Sequence, residues 1–243
     1  SDILYRILPK PHFLIKNSKK TLTEIEIVKI FINQNNFFNK DNLDISEVVI
    51  QGANFSLLKD DFKRLTKNNK KRLSNKKIKI ENSNIFFKDS LSEVTSIIKV
   101  SNATLFFDKK KSLNLFNLKG EVFNIPFTLD YNYAPNSNKS KRMEIVASDL
   151  RLKIIDENLN IGENLTRGIN NISILNSTIN TKYDIVNQII ILESSNSKMH
   201  NSRISYNGRL AINPFDLDLK INLDNYKVSN LFKSNSIINE IIK

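Results

Sequence analysis

Apolar residues recur at every second position along most of this 243-residue chain. In the clearest stretch, the apolar set alternates with polar residues from Ile204 to Ile212 and again from Phe215 to Leu223. Successive side chains of a β-strand point to opposite faces of a sheet, so this period gives each strand one apolar and one polar face. The sequence therefore predicts an all-β fold built on an elongated, twisted antiparallel sheet.

Two segments, 120–127 and 208–215, repeat the same spacing from a glycine to a Pro-Phe pair. A repeated phrase of this kind indicates repeated β-units. In the second copy the apolar phase changes by one residue at Pro214, which turns the apolar set to the other face unless the chain bends. We interpret Gly208 and Pro214 as the limits of a corner within a strand, because both residue types weaken a regular ladder.

A shorter repeat places Asn or Gly two residues after an apolar residue. It occurs at 49–55, 79–89 and 99–108, where the key residues are Gly52, Asn82 and Asn102. Asn and Gly tolerate left-handed backbone conformations. The repeat predicts strand, corner, strand units in a sheet that curls.

Two stretches follow a helical period instead. We predict peripheral helices at about 56–75 and at about 229–243. No shift in composition marks a boundary, so residues 1–243 are interpreted as one β domain. The chain starts with Ser in a strand-like pattern, and we expect it to be a fragment of a longer protein.

The net charge of +12 raises nucleic acid as a partner. The basic residues are dispersed, however, and their clusters at 67–77, 109–111 and 139–142 separate alternating segments. Such clusters are typical of solvated loops. Nucleic-acid binding around Lys70 and Lys141 is the last-ranked hypothesis, and we predict no nucleic-acid partner.

No pattern in the sequence predicts catalysis. The chain has no cysteine, and His12 and His200 have no metal-ligand spacing. The carboxylate pairs at 60–61 and 156–157 consist of adjacent residues that point apart, so they are interpreted as solvated charges. No glycine-rich phosphate loop or nucleophile elbow is present. We predict a non-enzymatic protein without a metal or cofactor.

Three stretches combine short strands with Pro and Gly punctuation. They are 5–17 with Pro9 and Pro11, 45–55 with Gly52, and 197–223 with Gly208 and Pro214-Phe215. This pattern resembles the AsmA-like proteins of the bacterial envelope, and the resemblance spans most of the chain. The membrane helix at the start of that family has no counterpart here, since no run of 18 apolar residues occurs.

The resemblance implies a sheet curled into an open groove with an apolar inner face. It also implies a protein that is anchored in the inner membrane, outside this fragment, and that projects into the periplasm. The implied partner is phospholipid or another acyl-chain lipid, moved between the inner and outer membranes to maintain the outer membrane. The alternative fold is a β-sandwich with an ordinary core, and the alternative function is a structural or adhesive β-repeat module without a lipid ligand.

The candidates for the groove lining are the period-two apolar sets and one member of each Phe pair. They are Ile125, Phe127, Leu129, Tyr131, Phe215, Leu217, Leu219, Ile221, Leu223, Phe86 and Phe106.

Overall fold

The chain folds almost entirely into β-strands. A computed structural model describes residues 3–9, 12–14, 21–33, 44–58, 72–89, 91–135, 140–162, 164–199, 202–212 and 214–224. Within these ranges the helical content is a single 3₁₀ turn, Ser148–Leu150. The predicted all-β fold class is confirmed.

The strands belong to two compact units, Ser1–Ser137 and Asn138–Lys243, which are described separately. The first unit contains β1 (Ile3–Pro9), β2 (His12–Leu14), β3 (Thr21–Glu24), β4 (Ile27–Asn33), β5 (Ile45–Gln51), β6 (Asn54–Leu58), β7 (Lys77–Lys88), β8 (Val94–Asp108), β9 (Leu113–Val122) and β10 (Ile125–Tyr133). The second contains β11 (Lys141–Ala147), β12 (Leu152–Asn160), β13 (Leu165–Ile174), β14 (Ser177–Val186), β15 (Ile189–Ser194), β16 (Ser197–Met199), β17 (Ser202–Ile212) and β18 (Phe215–Asp224). The interpretation of 1–243 as one domain stays a prediction.

The first unit is a mixed sheet, whereas the sequence predicts an antiparallel one. β1 pairs with β4, β4 with β5, and β7 through β10 follow one another, all antiparallel. β5 and β6 instead pair with β7 in parallel. Parallel neighbours need a long return connection, and residues 59–76 between β6 and β7 are numerous enough to make one.

The second unit is antiparallel throughout its described pairings. β11 to β15 form a meander in chain order, and β15 and β16 pair with β17, which pairs with β18. Short turns suffice for such neighbours.

The helix predicted at 56–75 is wrong at both ends. Residues 56–58 complete β6, where Leu57 lies opposite Phe87, and 72–76 are not helical. The ladder to β7 satisfies backbone groups of β6, and this pairing outweighs a helical spacing of a few leucines. Residues 59–71 and the helix predicted at 229–243 lie outside the described residues.

The short Asn or Gly repeat does form corners in the first unit, as predicted. Gly52 and Asn82 adopt positive φ angles of 63° and 46°. The pairing of β5 with β7 ends before these residues and that of β6 with β7 begins after them, so the two corners lie side by side. In the third copy of the repeat, a bulge between Val100 and Asn102 lies on the next strand, beside these two corners. A bend therefore crosses three neighbouring strands together.

Each corner adds one residue to the alternation. Val100 and Ala103 are three positions apart, yet both belong to one buried cluster. Ile80 and Ile85 are five positions apart, and both pack against that same cluster. Beyond a corner the inward phase is therefore shifted by one residue, as expected for a bulged strand.

The residue after each corner is small and buried. Ala53, Ser83 and Ala103 are each at most 2% exposed. The Ser83 hydroxyl accepts a hydrogen bond from the Ala53 backbone N–H at 3.0 Å and donates one to the Glu81 carbonyl at 2.8 Å. A side chain thus replaces ladder bonds that the bend would otherwise break.

A fourth corner lies in the second unit, at residues 196–197. Asn196 has a φ angle of 53°, and the fully buried Ser197 follows it. The Ser197 hydroxyl accepts from the Asn180 backbone N–H at 2.9 Å and donates to the Asn180 carbonyl at 3.1 Å. The same Asn-Ser pair and the same use of the hydroxyl therefore occur in both units.

The corner predicted at Pro214 is wrong. Ile212 pairs with Phe215, so the chain reverses direction at this point and β17 and β18 form a hairpin. The first copy of the phrase is also a hairpin, closed by Phe123 and Asn124 with positive φ at both residues, which matches the right-handed twist of strands. A two-residue turn explains the change of apolar phase without a bend.

The two glycines of that phrase occupy different hairpin positions. Gly120 lies opposite Phe127, whereas Gly208 lies opposite Leu219, so the second glycine is two residues farther from its turn. A Cβ at Gly208 would collide with the backbone of Asp218 and Leu219. The second glycine therefore permits a close approach of β18 to β17.

Buried apolar side chains are concentrated in the first unit. One cluster is formed by Ile25, Val28 and Ala53, and a second by Val100, Ala103 and Leu118. In the described part of the second unit, the buried hydrophobic residues are Ala147 and Ile204. The other apolar side chains described there are half-buried or exposed on the sheet, without a sandwich core among the described residues.

We expect Ser197→Ala to destabilise the protein by about 1–3 kcal/mol, because it leaves the Asn180 N–H without its acceptor at a buried position. Urea unfolding followed by circular dichroism measures the change. Ser173→Ala is the matched control, since Ser173 is exposed on β13. An equal change in both variants would contradict the role of the corner hydroxyl.

Candidate functional site

The candidates on β10 belong to the core of the first unit. Phe127 and Leu129 pack against the cluster of Val100, Ala103 and Leu118. Ile125 and Tyr131 lie on the same face by alternation and are half-buried. These side chains already have protein neighbours, so they are less open to a ligand than the sequence suggests.

Phe86 and Phe106 do not share the face that carries Phe127 and Leu129, so their selection for the same lining is wrong. The register places Phe107 opposite Asn114 and in phase with Leu105, whereas Phe106 lies on the opposite face. Phe107 is buried beneath the Arg72 guanidinium, 3.9 Å from its ring centre, and Lys77 lies 5.5 Å from the ring of Phe106. In β7 the same shift places Phe87, not Phe86, in phase with Ile85.

The candidates on β18 are the most exposed apolar side chains of the predicted set. Their exposed fractions range from 37% at Leu219 to 75% at Phe215. All five point to one face, because they alternate with polar residues along a regular strand. They are Phe215, Leu217, Leu219, Ile221 and Leu223.

This stripe is the edge of a wider surface, the apolar face of the second unit. Two cross-strand rows of aliphatic residues define it. One row is Ile145, Ile154, Ile172 and Ile179, and the other is Ile185, Ile190, Leu210 and Leu217. Apart from Leu217, these side chains are half-buried. Sequence reasoning found β18 but not the rows on β11 to β17.

A group of polar side chains crosses the apolar face between the two rows. Asp156 is its centre and accepts hydrogen bonds from the Asn158 amide at 2.9 Å, the Asn170 amide at 3.2 Å and the Tyr183 hydroxyl at 3.0 Å. The hydroxyls of Thr181 and Tyr206 bond to each other beside it. We call these six residues the polar belt.

The environment of the belt changes the acidity of Tyr183. Burial raises the pKa of the Tyr183 hydroxyl, and the negative charge of Asp156 raises it further. The ring lies over Gly168 on the neighbouring strand, which leaves room for it. Tyr183 is therefore a hydrogen-bond donor that stays protonated at physiological pH.

Asp156 and Glu157 differ from the sequence interpretation of both as solvated charges. Glu157 is exposed and accepts from Arg142 at 3.0 Å. Asp156 points to the other face, in phase with Ile154, and its carboxylate is enclosed by amide and hydroxyl donors. The alternation alone indicates this orientation of Asp156, because Asp156 lies two residues after Ile154.

The opposite side of the same sheet is charged. Arg167 donates two hydrogen bonds to Asp184, at 2.9 and 3.1 Å, and the bonded guanidinium lowers the pKa of that carboxyl. Lys153 and Arg142 likewise lower the pKa of Glu144. This side is called the charged face below.

The charged face also contains a cleft of about 610 Å³. Its apolar walls include Leu159, Ile169 and Ile191, which alternate with the Arg167–Asp184 pair along neighbouring strands. Ile191 is 53% exposed. The cleft is thus a second surface with some apolar character, and it contains none of the predicted candidates.

Neither a metal site nor a membrane-spanning helix occurs in the part of the chain that the structure describes. No group of three or more His, Cys, Asp or Glu side chains there could hold a metal ion. No helix among those residues combines the length and the apolar character that a bilayer span requires.

Comparison of the sequence with protein-family models and with curated proteins finds no match. The AsmA-like resemblance therefore stays a prediction that rests on the residues named above.

We expect spectrophotometric titration to show a tyrosine that ionises above the ordinary range of a phenol. Tyr183→Phe should remove this late phase, because burial and the charge of Asp156 raise the pKa of the Tyr183 hydroxyl. The folded pKa is raised above the unfolded value of about 10, so the stabilisation from Tyr183 is full below that pH and decreases above it. Tyr133→Phe is the control, and persistence of the late phase in Tyr183→Phe would contradict this assignment.

Proposed function

We propose that this chain is a non-enzymatic protein of the bacterial envelope whose apolar sheet face binds acyl-chain lipid. The observation that carries the proposal is the row of five aliphatic and aromatic side chains on β18, each 37–75% exposed, at the edge of a broader apolar face. Soluble monomers rarely expose apolar residues in a contiguous patch without a binding role. The resemblance to AsmA-like proteins supports phospholipid as the ligand and transport between membranes as the role.

The apolar face of the second unit, which the polar belt crosses, suits an amphipathic ligand. Acyl chains gain about 0.8 kcal/mol for each methylene removed from water. The aliphatic rows on both sides of the polar belt offer that environment. The hydroxyls and amides of the belt, including Tyr183 and Asn170, are suited to the ester or headgroup of a lipid that lies across them.

The burial pattern favours an open face over a sandwich in the described part of the second unit. A sandwich core would bury inward residues from two stacked sheets. Here most inward aliphatic residues are half-buried, and those of β18 are exposed. The structural or adhesive alternative would use the exposed surface in contact with another macromolecule and would retain no lipid.

Ile221 and Ile191 provide a matched test of the binding face. They are the same residue type with exposures of 54% and 53%, and they lie on opposite faces of the sheet. Because both are exposed, substitution by Asp should leave the fold intact. We expect Ile221→Asp to weaken binding of a fluorescent phospholipid about tenfold, which corresponds to about 1.4 kcal/mol, while Ile191→Asp leaves it unchanged.

Binding is measured by fluorescence titration, and native mass spectrometry of the purified protein reports retained phospholipid. Loss of binding in Ile191→Asp alone would move the site to the cleft on the charged face. Absence of lipid from the preparation, together with no uptake by a delipidated sample, would reject the lipid function and favour the structural alternative.

A further inference from the structure

β18 has one open edge. It pairs with β17 on one side, and no strand among the described residues pairs with its other side. All ten of its residues are exposed. The backbone N–H and C=O groups along such an edge form a template for another strand.

This edge lacks several of the features that protect edge strands, although it carries charged side chains on its polar side. Proteins block edges with an inward charge, a proline, a bulge or a very short strand. β18 contains no proline, its register with β17 is regular over ten pairs, and its inward side chains are all apolar. The backbone of this edge can therefore pair with a partner strand whose charges complement those of β18.

The charges on the other side of β18 suggest which strand it accepts. The polar positions are Asp216, Asp218, Lys220, Asn222 and Asp224. Arg209 bonds to Asp216 at 3.1 Å. Asp218 and Lys220 form no ion pair with the described residues, although they carry opposite charges two positions apart.

That spacing is self-complementary. If two copies of β18 pair antiparallel about Leu219, Asp218 of each copy lies opposite Lys220 of the other, twice over. In this register Leu217 faces Ile221, and Leu219 faces its own counterpart. Opposite residues of an antiparallel pair point to the same face, so the apolar stripe also continues from one copy to the next.

Neighbouring registers are less favourable. Centring the pair on Lys220 places two lysines opposite each other, and centring it on Asp218 does the same for two aspartates. Centring on Leu217 or Ile221 places aspartates opposite each other. If one strand slips by a single residue, apolar side chains lie opposite charged ones. Such a register is unfavourable for a strand with one apolar face.

We propose that β18 is a self-association edge through which two copies of this chain join in an antiparallel pair centred on Leu219. The contact is isologous, as expected of a two-fold dimer. The contact joins the apolar face of the second unit in one copy to the same face in the other copy, so that the two form one surface. The proposal rests on the open edge and its charges and does not require that the face bind lipid.

Disulfide trapping tests the register, because the chain has no cysteine of its own. Leu219→Cys should form a covalent dimer under mild oxidation, since directly opposite Cβ atoms lie about 4.5–5.5 Å apart. Ile221→Cys alone should not, because it faces Leu217. A mixture of Leu217→Cys and Ile221→Cys chains should give a mixed dimer. Efficient trapping of Ile221→Cys alone, or none of Leu219→Cys, would overturn the register.

A charge swap tests the association itself by sedimentation velocity over a range of concentrations. Asp218→Lys and Lys220→Asp should each weaken dimerisation roughly tenfold, because each opposes like charges at two sites. The double variant Asp218→Lys with Lys220→Asp should restore it to within about twofold, as a reversed but complementary pair. Lys182→Asp, an exposed lysine on the interior strand β14, is the control and should leave dimerisation unchanged.

Circular dichroism and urea unfolding establish that each variant is folded. A folded wild-type chain that stays monomeric at every concentration would overturn the proposal. So would dimerisation that is unaffected by both single swaps, because the contact would then lie elsewhere. Lipid binding is measured separately, so failure of the dimer leaves the test of the binding face intact.

Discussion

The structure depends on how a long strand bends without losing its backbone hydrogen bonds. At each corner a residue with positive φ or a bulge turns the chain, and a small buried residue follows it. In two corners that residue is serine, and its hydroxyl bonds to the backbone of the neighbouring strand. Because buried N–H and C=O groups need partners, the bend is possible where such a side chain or a matching corner lies beside it.

The corners also determine which side chains share a face. Every corner adds one residue, so an inward phase that passes through Ile80 continues through Ser83 and Ile85. In the second unit the corner at Asn196 has the same effect between Ser194 and Ser197. An apolar face can thus continue along a bent strand. In the second unit that face carries the polar belt and ends at the exposed stripe of β18, and both the proposed lipid site and the proposed dimer edge use this continuity.

Much of this could be predicted from the alternation and from the Asn or Gly repeat, which indicated strands and three of the corners. The failures concern the phase of that alternation. Phe86 and Phe106 belong to the predicted groove lining, but the corner before each pair shifts the inward phase by one residue, to Phe87 and Phe107. At Pro214 a change of phase is produced equally by a corner or by a hairpin, and the pairing of Ile212 with Phe215 selects the hairpin. The interpretation of Asp156 as a solvated charge is wrong because its place in the alternation, two residues after Ile154, turns it to the apolar face.

The sequence by itself determined the all-β class, the inward and outward sets within each uninterrupted strand, and the positions at which the backbone can turn left-handed, because these follow from local sterics and from a period of two. The tertiary structure decided which strands are neighbours, including the parallel pairs of β7, and hence which side chains meet. It alone brings Asp156, Asn170 and Tyr183 together from three strands, and it leaves one edge of β18 without a partner strand among the described residues. Pairing depends on contacts between residues far apart in the chain, and no local pattern specifies them.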